Sequence, residues 1–216
     1  MKKILNMFNV SNVSNIRISA VDGSVQKSVN SRYFDLCDNK MAYPKNSNIE
    51  YAVLLSHLNA IETYFNSTNI NYGVAMICED DLSLDFIKYW NKDINTVIKE
   101  APEDWDIIML GYFSLDISRD EIYKRWSNEW GTCSYLINYK SKNKIQNLKK
   151  DGKWICNEYD VMVADNYLYS KLITYVYKYP YFTFPSNNNS SIHAEHIDYH
   201  ILYKKCNYIL LNQSNI

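Results

Sequence analysis

Neither sign of charge is in excess in this 216-residue chain: 23 Lys plus Arg face 24 Asp plus Glu, a net charge of −1. Proteins that grip duplex nucleic acid or an anionic membrane normally carry a basic excess, so nucleic acid is not expected as a partner. Long hydrophobic runs are also missing. Stretches such as Val74 to Cys78 are strand-sized, well short of the ~20 apolar residues of a spanning helix, and no membrane span is expected. The five cysteines (Cys37, Cys78, Cys133, Cys156, Cys206) are odd in number, far apart and without a C-x-x-C pair. That pattern argues against a disulfide framework or a structural zinc site and for reduced thiols. Asn6 and Asn9 interrupt the apolar part of the N-terminus, so a secretion signal is not expected and a cytoplasmic location is. Five glycines, four prolines and four arginines among abundant Asn, Ile, Lys and Tyr reflect AT-rich coding rather than chemistry.

What is present is 47% hydrophobic residues, enough for one globular domain over residues 1–216, with no internal repeat and a polar Ser186 to Ser191 stretch suited to a loop. Leu54, Leu58, Ile61 and Phe65 recur at steps of four, three and four, predicting an amphipathic helix over Ile49 to Phe65 that Ser47 or Asn48 could cap. Tyr72 to Cys78 reads as a buried strand ending abruptly at Glu79-Asp80-Asp81. Phe86, Tyr89, Trp90, Ile94, Val97 and Ile98 keep helical spacing until Ala101-Pro102. A second buried strand, Trp105 to Leu110, closes at Gly111. A short strand over Thr132 to Ile137, a polar helix around Ser141 to Lys150 and a helix near Asp160 to Leu172 follow. The order argues for an α/β sheet layered with helices.

Open α/β sheets bind ligands at the carboxyl ends of their strands, where Glu79, Asp80 and Asp81 are expected. Three adjacent acids repel one another, and Mg²⁺ or Mn²⁺ on carboxylate oxygens offsets that repulsion while bridging to a substrate phosphate. The competing reading is that Asp80, Asp81 and Ser83 cap a following helix.

Several stretches, in order, resemble glycosyltransferase family 25, which includes lipooligosaccharide glycosyltransferases and collagen galactosyltransferase-like domains. They are Arg17-Ile18-Ser19-Ala20-Val21-Asp22-Gly23; Ser56-His57-Leu58; Ile77-Cys78-Glu79-Asp80-Asp81 with Phe86; and Trp105-Asp106 through Leu110-Gly111. Gly131 through Tyr135 to Ile137, Val163-Ala164-Asp165 with Leu168, and Pro185 with Ser190-Ser191-Ile192 complete the set. The resemblance implies a GT-A-like mixed sheet flanked by helices and a metal-dependent, inverting transfer of a hexose from a UDP-sugar. The acceptor would be a glycan or a hydroxylysine-type hydroxyl, as in lipopolysaccharide biosynthesis or on a collagen-like protein. On that basis Asp81 would bind Mn²⁺ or Mg²⁺, with Glu79 and His193 completing the metal site. Asp22, Gly23, His57, Glu79 and Asp80 would line the donor site, and Asp165 would be the catalytic base, ahead of Asp160 and Glu158.

Simpler readings stand beside these. Asp165 or Asp160 could merely start a helix, His57 could be a hydrogen-bonded histidine at the core's edge, and Asp22-Gly23 could be a turn. His193, His196 and His200 could share one helical face, most simply towards solvent. Trp126, Trp130, Tyr135, Trp154 and Tyr159 could offer a stacking surface for a sugar, but aromatics mostly fill cores, and none is assigned a role. Only about nineteen residues precede Ala20, so the family's opening strand is expected to be missing, exposing a sheet edge. A degenerate relative that binds a glycan or a partner without turnover is the alternative reading, and a metal-dependent phosphohydrolase is a third.

Overall fold

The computed structural model describes residues 15–36, 47–67, 73–118, 120–157, 160–184 and 197–213. In chain order these form α1 (Val29–Tyr33), β1 (Phe34–Asp35), α2 (Asn48–Asn66), β2 (Val74–Cys78), α3 (Ile94–Glu100), β3 (Ile107–Phe113), β4 (Tyr123–Arg125) and β5 (Trp130–Asn138). They continue with α4 (Lys142–Gln146), β6 (Lys149–Lys150), β7 (Lys153–Ile155), α5 (Ala164–Lys171), β8 (Thr174–Tyr177) and α6 (Ile197–Gln213). The result is a mixed α/β fold with two mixed sheets flanked by helices. The larger has the order β2-β5-β3-β8-β4 and the smaller β1-β7-β6.

The apolar run Ile107-Ile108-Met109-Leu110 is continuous because β3 is buried on both faces. Ile107 and Met109 join one core with Leu54, Leu58 and Ile61 of α2 and Tyr167 and Leu168 of α5. Ile108 and Leu110 join a second core with Val97 of α3, Trp105, Tyr177 and Phe182. Phe34 and Trp154 of the small sheet belong to the first core. Helix α2 starts where the sequence indicates: the Ser47 hydroxyl accepts from the Glu50 N–H, and Glu50 answers on the Ser47 N–H, a reciprocal cap.

Four expectations change. The helical spacing from Phe86 to Ile98 breaks into a 3₁₀ turn, Ile87–Tyr89, and a separate α3. Trp90 turns extended, donating its indole N–H to the Tyr181 carbonyl at 2.9 Å, and the Asp93 carboxylate starts a new helix by accepting from Thr96. The polar helix over Ser141 to Lys150 stops at Gln146. Asp151-Gly152, both with positive φ, then turn β6 into β7, as that dipeptide favours. The helix near Asp160 begins only at Ala164, because Asp160 accepts the Asn157 N–H and pairs with Lys171 at 2.5 Å. Finally, β2 is half-buried rather than buried, since it lies at an edge of the larger sheet. The expectation of a missing opening strand falls on residues 1–14, outside the described residues.

Candidate active site

Strands β2 and β3 both run antiparallel to β5, and β3 runs parallel to β8. The carboxyl ends of β2, β3 and β8 therefore lie along one edge of the sheet, together with the first residues of β5. Register between β3 and β5 shifts at Gly111. A Cβ there would come within 2.3 Å of the Cys133 Sγ, so glycine is what lets the two strands close at this point. Such irregularities re-aim side chains beside functional sites.

Glu79 follows β2 directly. Its Oε1 accepts the Thr132 hydroxyl at 2.6 Å and lies 3.3 Å from His57 Nε2, and its backbone N–H bonds the Cys133 carbonyl at 3.0 Å. His57, which is buried, is fixed from its other side by the Tyr135 hydroxyl, 3.2 Å from Nδ1. Burial pushes the Glu79 carboxyl up, but the His57 hydrogen bond and charge and the Thr132 hydroxyl outweigh it and leave the group below its ordinary range. Oε2 has no hydrogen-bond partner among the described residues.

Asp81 moves the other way. Partial burial, the Glu79 charge and then the Asp80 charge raise its carboxyl. Asp80 and Asp81 are exposed in a turn, and no helix begins there, so the helix-capping alternative does not hold. Instead the chain continues extended. Ser83 exchanges backbone hydrogen bonds with Thr183, and Leu82 is buried in the second core, pinning the acidic turn to the segment after β8.

Asp165 sits in the first turn of α5. Its Oδ2 accepts the Gly131 N–H at 3.0 Å and its Oδ1 the Asn166 N–H at 2.8 Å. The helix starts one residue earlier, at Ala164 with Val163 as its N-cap, and Asp165 ties its first turn to the strand residue beside Thr132. The Tyr169 hydroxyl closes the same junction on the Gly131 carbonyl at 2.9 Å. Asp160, the alternative base, accepts the Asn157 N–H and pairs with Lys171. Glu158, His193 and His196 lie outside the described residues. His200 is not solvent-facing: it stacks on Phe113 at 4.8 Å and lies near Phe184.

The structure thus brings Glu79, Asp81, His57 and Asp165 around the start of β5. It does not bring the Asp22 carboxylate in. Asp22 is exposed and folds back on the Ser24 N–H and hydroxyl, bonds that hold its carboxyl low, and Gly23 packs so tightly on α2 that a Cβ would lie 2.7 Å from the Asn48 carbonyl. Asn48 clamps this turn through the Gly23 and Gln26 carbonyls at 2.6 Å each. Adjacent residues of α2 divide the work: the Ser56 hydroxyl takes the Val21 N–H at 2.9 Å while His57 reaches Glu79. Thr132 and Tyr169 were missed from sequence, because a threonine and a helical tyrosine carry no signature until the strand and helix meet.

Among the described residues no group of three or more His, Cys, Asp or Glu is placed to hold a metal ion. Glu79 and Asp81 nonetheless suit a divalent cation in the sparser mode, one or two carboxylates with substrate phosphate oxygens supplying the rest. The Asp81 carboxyl is raised first by desolvation and then by the Glu79 and Asp80 charges, and a cation there would offset the second of these. No protein-family model, no curated protein and no solved structure matches the chain. No described helix is long and apolar enough to cross a membrane.

Proposed function

We propose that this protein is a GT-A-like, metal-dependent inverting glycosyltransferase that moves a hexose from a UDP-sugar to a glycan or hydroxylysine-type hydroxyl. The observation that carries the reading is Glu79, two residues before Asp81, held on one oxygen by His57 and Thr132, the neighbour of the Gly131 that anchors Asp165 at the start of β5. Asp81 and Glu79 would hold Mn²⁺ or Mg²⁺, which when bound supplies positive charge to the diphosphate leaving group.

The remaining chemistry falls to the chain itself. Tyr135 holds His57, and His57 and Thr132 in turn fix one oxygen of Glu79, which leaves the other for the cation or the donor. Asp165, immobilised by two backbone N–H groups, takes the proton from the acceptor hydroxyl as that oxygen attacks the anomeric carbon. The bond from carbon to diphosphate breaks on the opposite face, the new glycosidic bond forms, and the proton passes from Asp165 to solvent.

The test is transfer or hydrolysis of UDP-sugars with Mn²⁺. Asp81→Ala is expected to lower either rate by about 100-fold or more. Asp165→Asn should cut transfer by about 100-fold or more, the contribution of a positioned base. Wild type and Asp81→Ala turning over at the same background rate reject the reading.

A further inference from the structure

Of the five tryptophans, four are accounted for by packing. Trp105 and Trp154 are buried, and Trp90 and Trp126 are half-buried with their indole N–H groups on the Tyr181 and Glu129 carbonyls. Trp130 differs: it is 57% exposed, and its indole N–H has no partner among the described residues. Single exposed apolar side chains are ordinary. The foundation beneath this one is not.

The turn that carries it is braced by Glu129, whose side chain is 1% exposed and pairs with Lys124 at 3.0 Å. The second Glu129 oxygen accepts the Ser127 N–H at 3.2 Å and the Asn128 N–H at 3.4 Å, and its carbonyl takes the Trp126 indole at 2.8 Å. Burying a carboxylate is costly unless it is fully engaged, as this one is. On the other side Gly131, at φ 105°, fixes the chain in a conformation that favours glycine, with its backbone packed on Phe113 and Phe184. The indole is therefore held out from a rigid base.

Its position matters as much as its exposure. Trp130, Gly131 and Thr132 are consecutive: the first presents the indole, the second binds Asp165 and the third binds Glu79. Ser127 and Asn128, both exposed, add a hydroxyl and an amide in the same turn, the hydroxyl donating to the Asn128 Oδ1 at 3.1 Å and leaving the amide NH₂ outward. A pyranose has an apolar face of C–H groups and a rim of hydroxyls. The electron-rich face of an indole suits the first, and an N–H with neighbouring polar groups suits the second.

We infer that Trp130 is the stacking platform for a hexose ring of the acceptor, holding it beside Asp165. The inference rests on the glycosyl-transfer reading for its role but not for its test, which reads saccharide binding directly.

The experiment is ¹H–¹⁵N correlation of the five indole N–H groups during titration with lactose, maltose and cellobiose, and with glycerol as a polyol control. The Trp130 signal is identified by its loss in Trp130→Phe. It is expected to move with at least one disaccharide and not with glycerol, and Trp130→Ala should weaken that saccharide's binding about tenfold. Three results overturn the platform: no saccharide moves the signal, glycerol moves it equally, or phosphatidylcholine vesicles move it while saccharides do not. Once a transfer assay is in hand, Trp130→Ala should raise the acceptor KM. Unchanged acceptor KM removes the platform while the transferase reading stands. Saccharide binding at Trp130 without any turnover does the reverse.

Discussion

Glu79 is the residue on which the site turns, and its ionisation links the site to stability. Its folded carboxyl lies below its ordinary range, so ionised Glu79 favours the folded state. That contribution is complete above about pH 4.3, the unfolded value, and is lost as pH falls through the lower folded value. Glu79→Gln is therefore expected to lower stability at pH 7 by about 1.5–3 kcal/mol, typical of hydrogen bonds to a charged group. Urea unfolding should show the difference shrinking at pH 3; an equal loss at both pH values would mean the charge is irrelevant. Asp81 has the opposite sign, its raised carboxyl making the ionised form the unfavourable one in the fold. The acidic triplet was legible in the sequence, yet its division of labour was not. Glu79 and Asp81 are two residues apart and differ in direction because His57, twenty-two positions upstream, reaches one of them and not the other.

At the scale of the element, the junction of β3 with β5 is the feature most sensitive to a small change. Gly111→Ala would drive a methyl group into Cys133 Sγ and against the Phe182 carbonyl. The expected cost is about 1–3 kcal/mol, the usual range for overpacking, which lowers Tm by roughly 2–4 °C per kcal/mol for a chain of this size. Adding Cys133→Ala should recover part of the loss, since the closest clash is with its sulfur. Thermal melts of the single and double variants test this, and a single variant as stable as wild type removes the argument. Gly111 reads in the sequence as the end of its strand, but β3 continues through it to Phe113. Its structural reason, close approach to a cysteine from another strand, belongs to the pairing. The same holds for Asp106, fully buried between Lys144 at 2.6 Å and the Ile173 N–H at 2.8 Å, where it ties β8 and the residues after β5 to the start of β3.

For the whole molecule, the prediction concerns the cation and the nucleotide together. Mn²⁺ with UDP should raise the melting temperature of wild type, since a ligand that binds only the folded state at 100 times its Kd contributes about 2.7 kcal/mol. That corresponds to a rise of roughly 5–10 °C. Asp81→Ala should show no such rise. Because the Asp81 carboxyl is raised, protons compete with the ion at a higher pH than at an ordinary aspartate, and the stabilisation should fade on acidification through that range. No shift in wild type with Mn²⁺, with or without UDP, defeats the metal assignment and the transfer mechanism with it.

The sequence by itself determined the elements whose signals are local. These are the amphipathic α2 with its Ser47 cap, the doubly buried β3, the strand that ends in three acids, and an α/β layering of sheet and helices. Each rests on periodicity or on chemistry within a few residues. Tertiary structure alone decided that β2 stands at a sheet edge, that the helical spacing between Phe86 and Ile98 is broken, and that Asp22 serves its own turn. It also decided that Thr132 and His57 meet on Glu79 with Tyr135 behind His57, and that one tryptophan stays exposed next to the glycine that binds Asp165. The physical reason is that burial, desolvation and hydrogen-bond partnership are properties of pairs of segments. Such pairs are dozens of residues apart in the chain and meet only when the sheet closes.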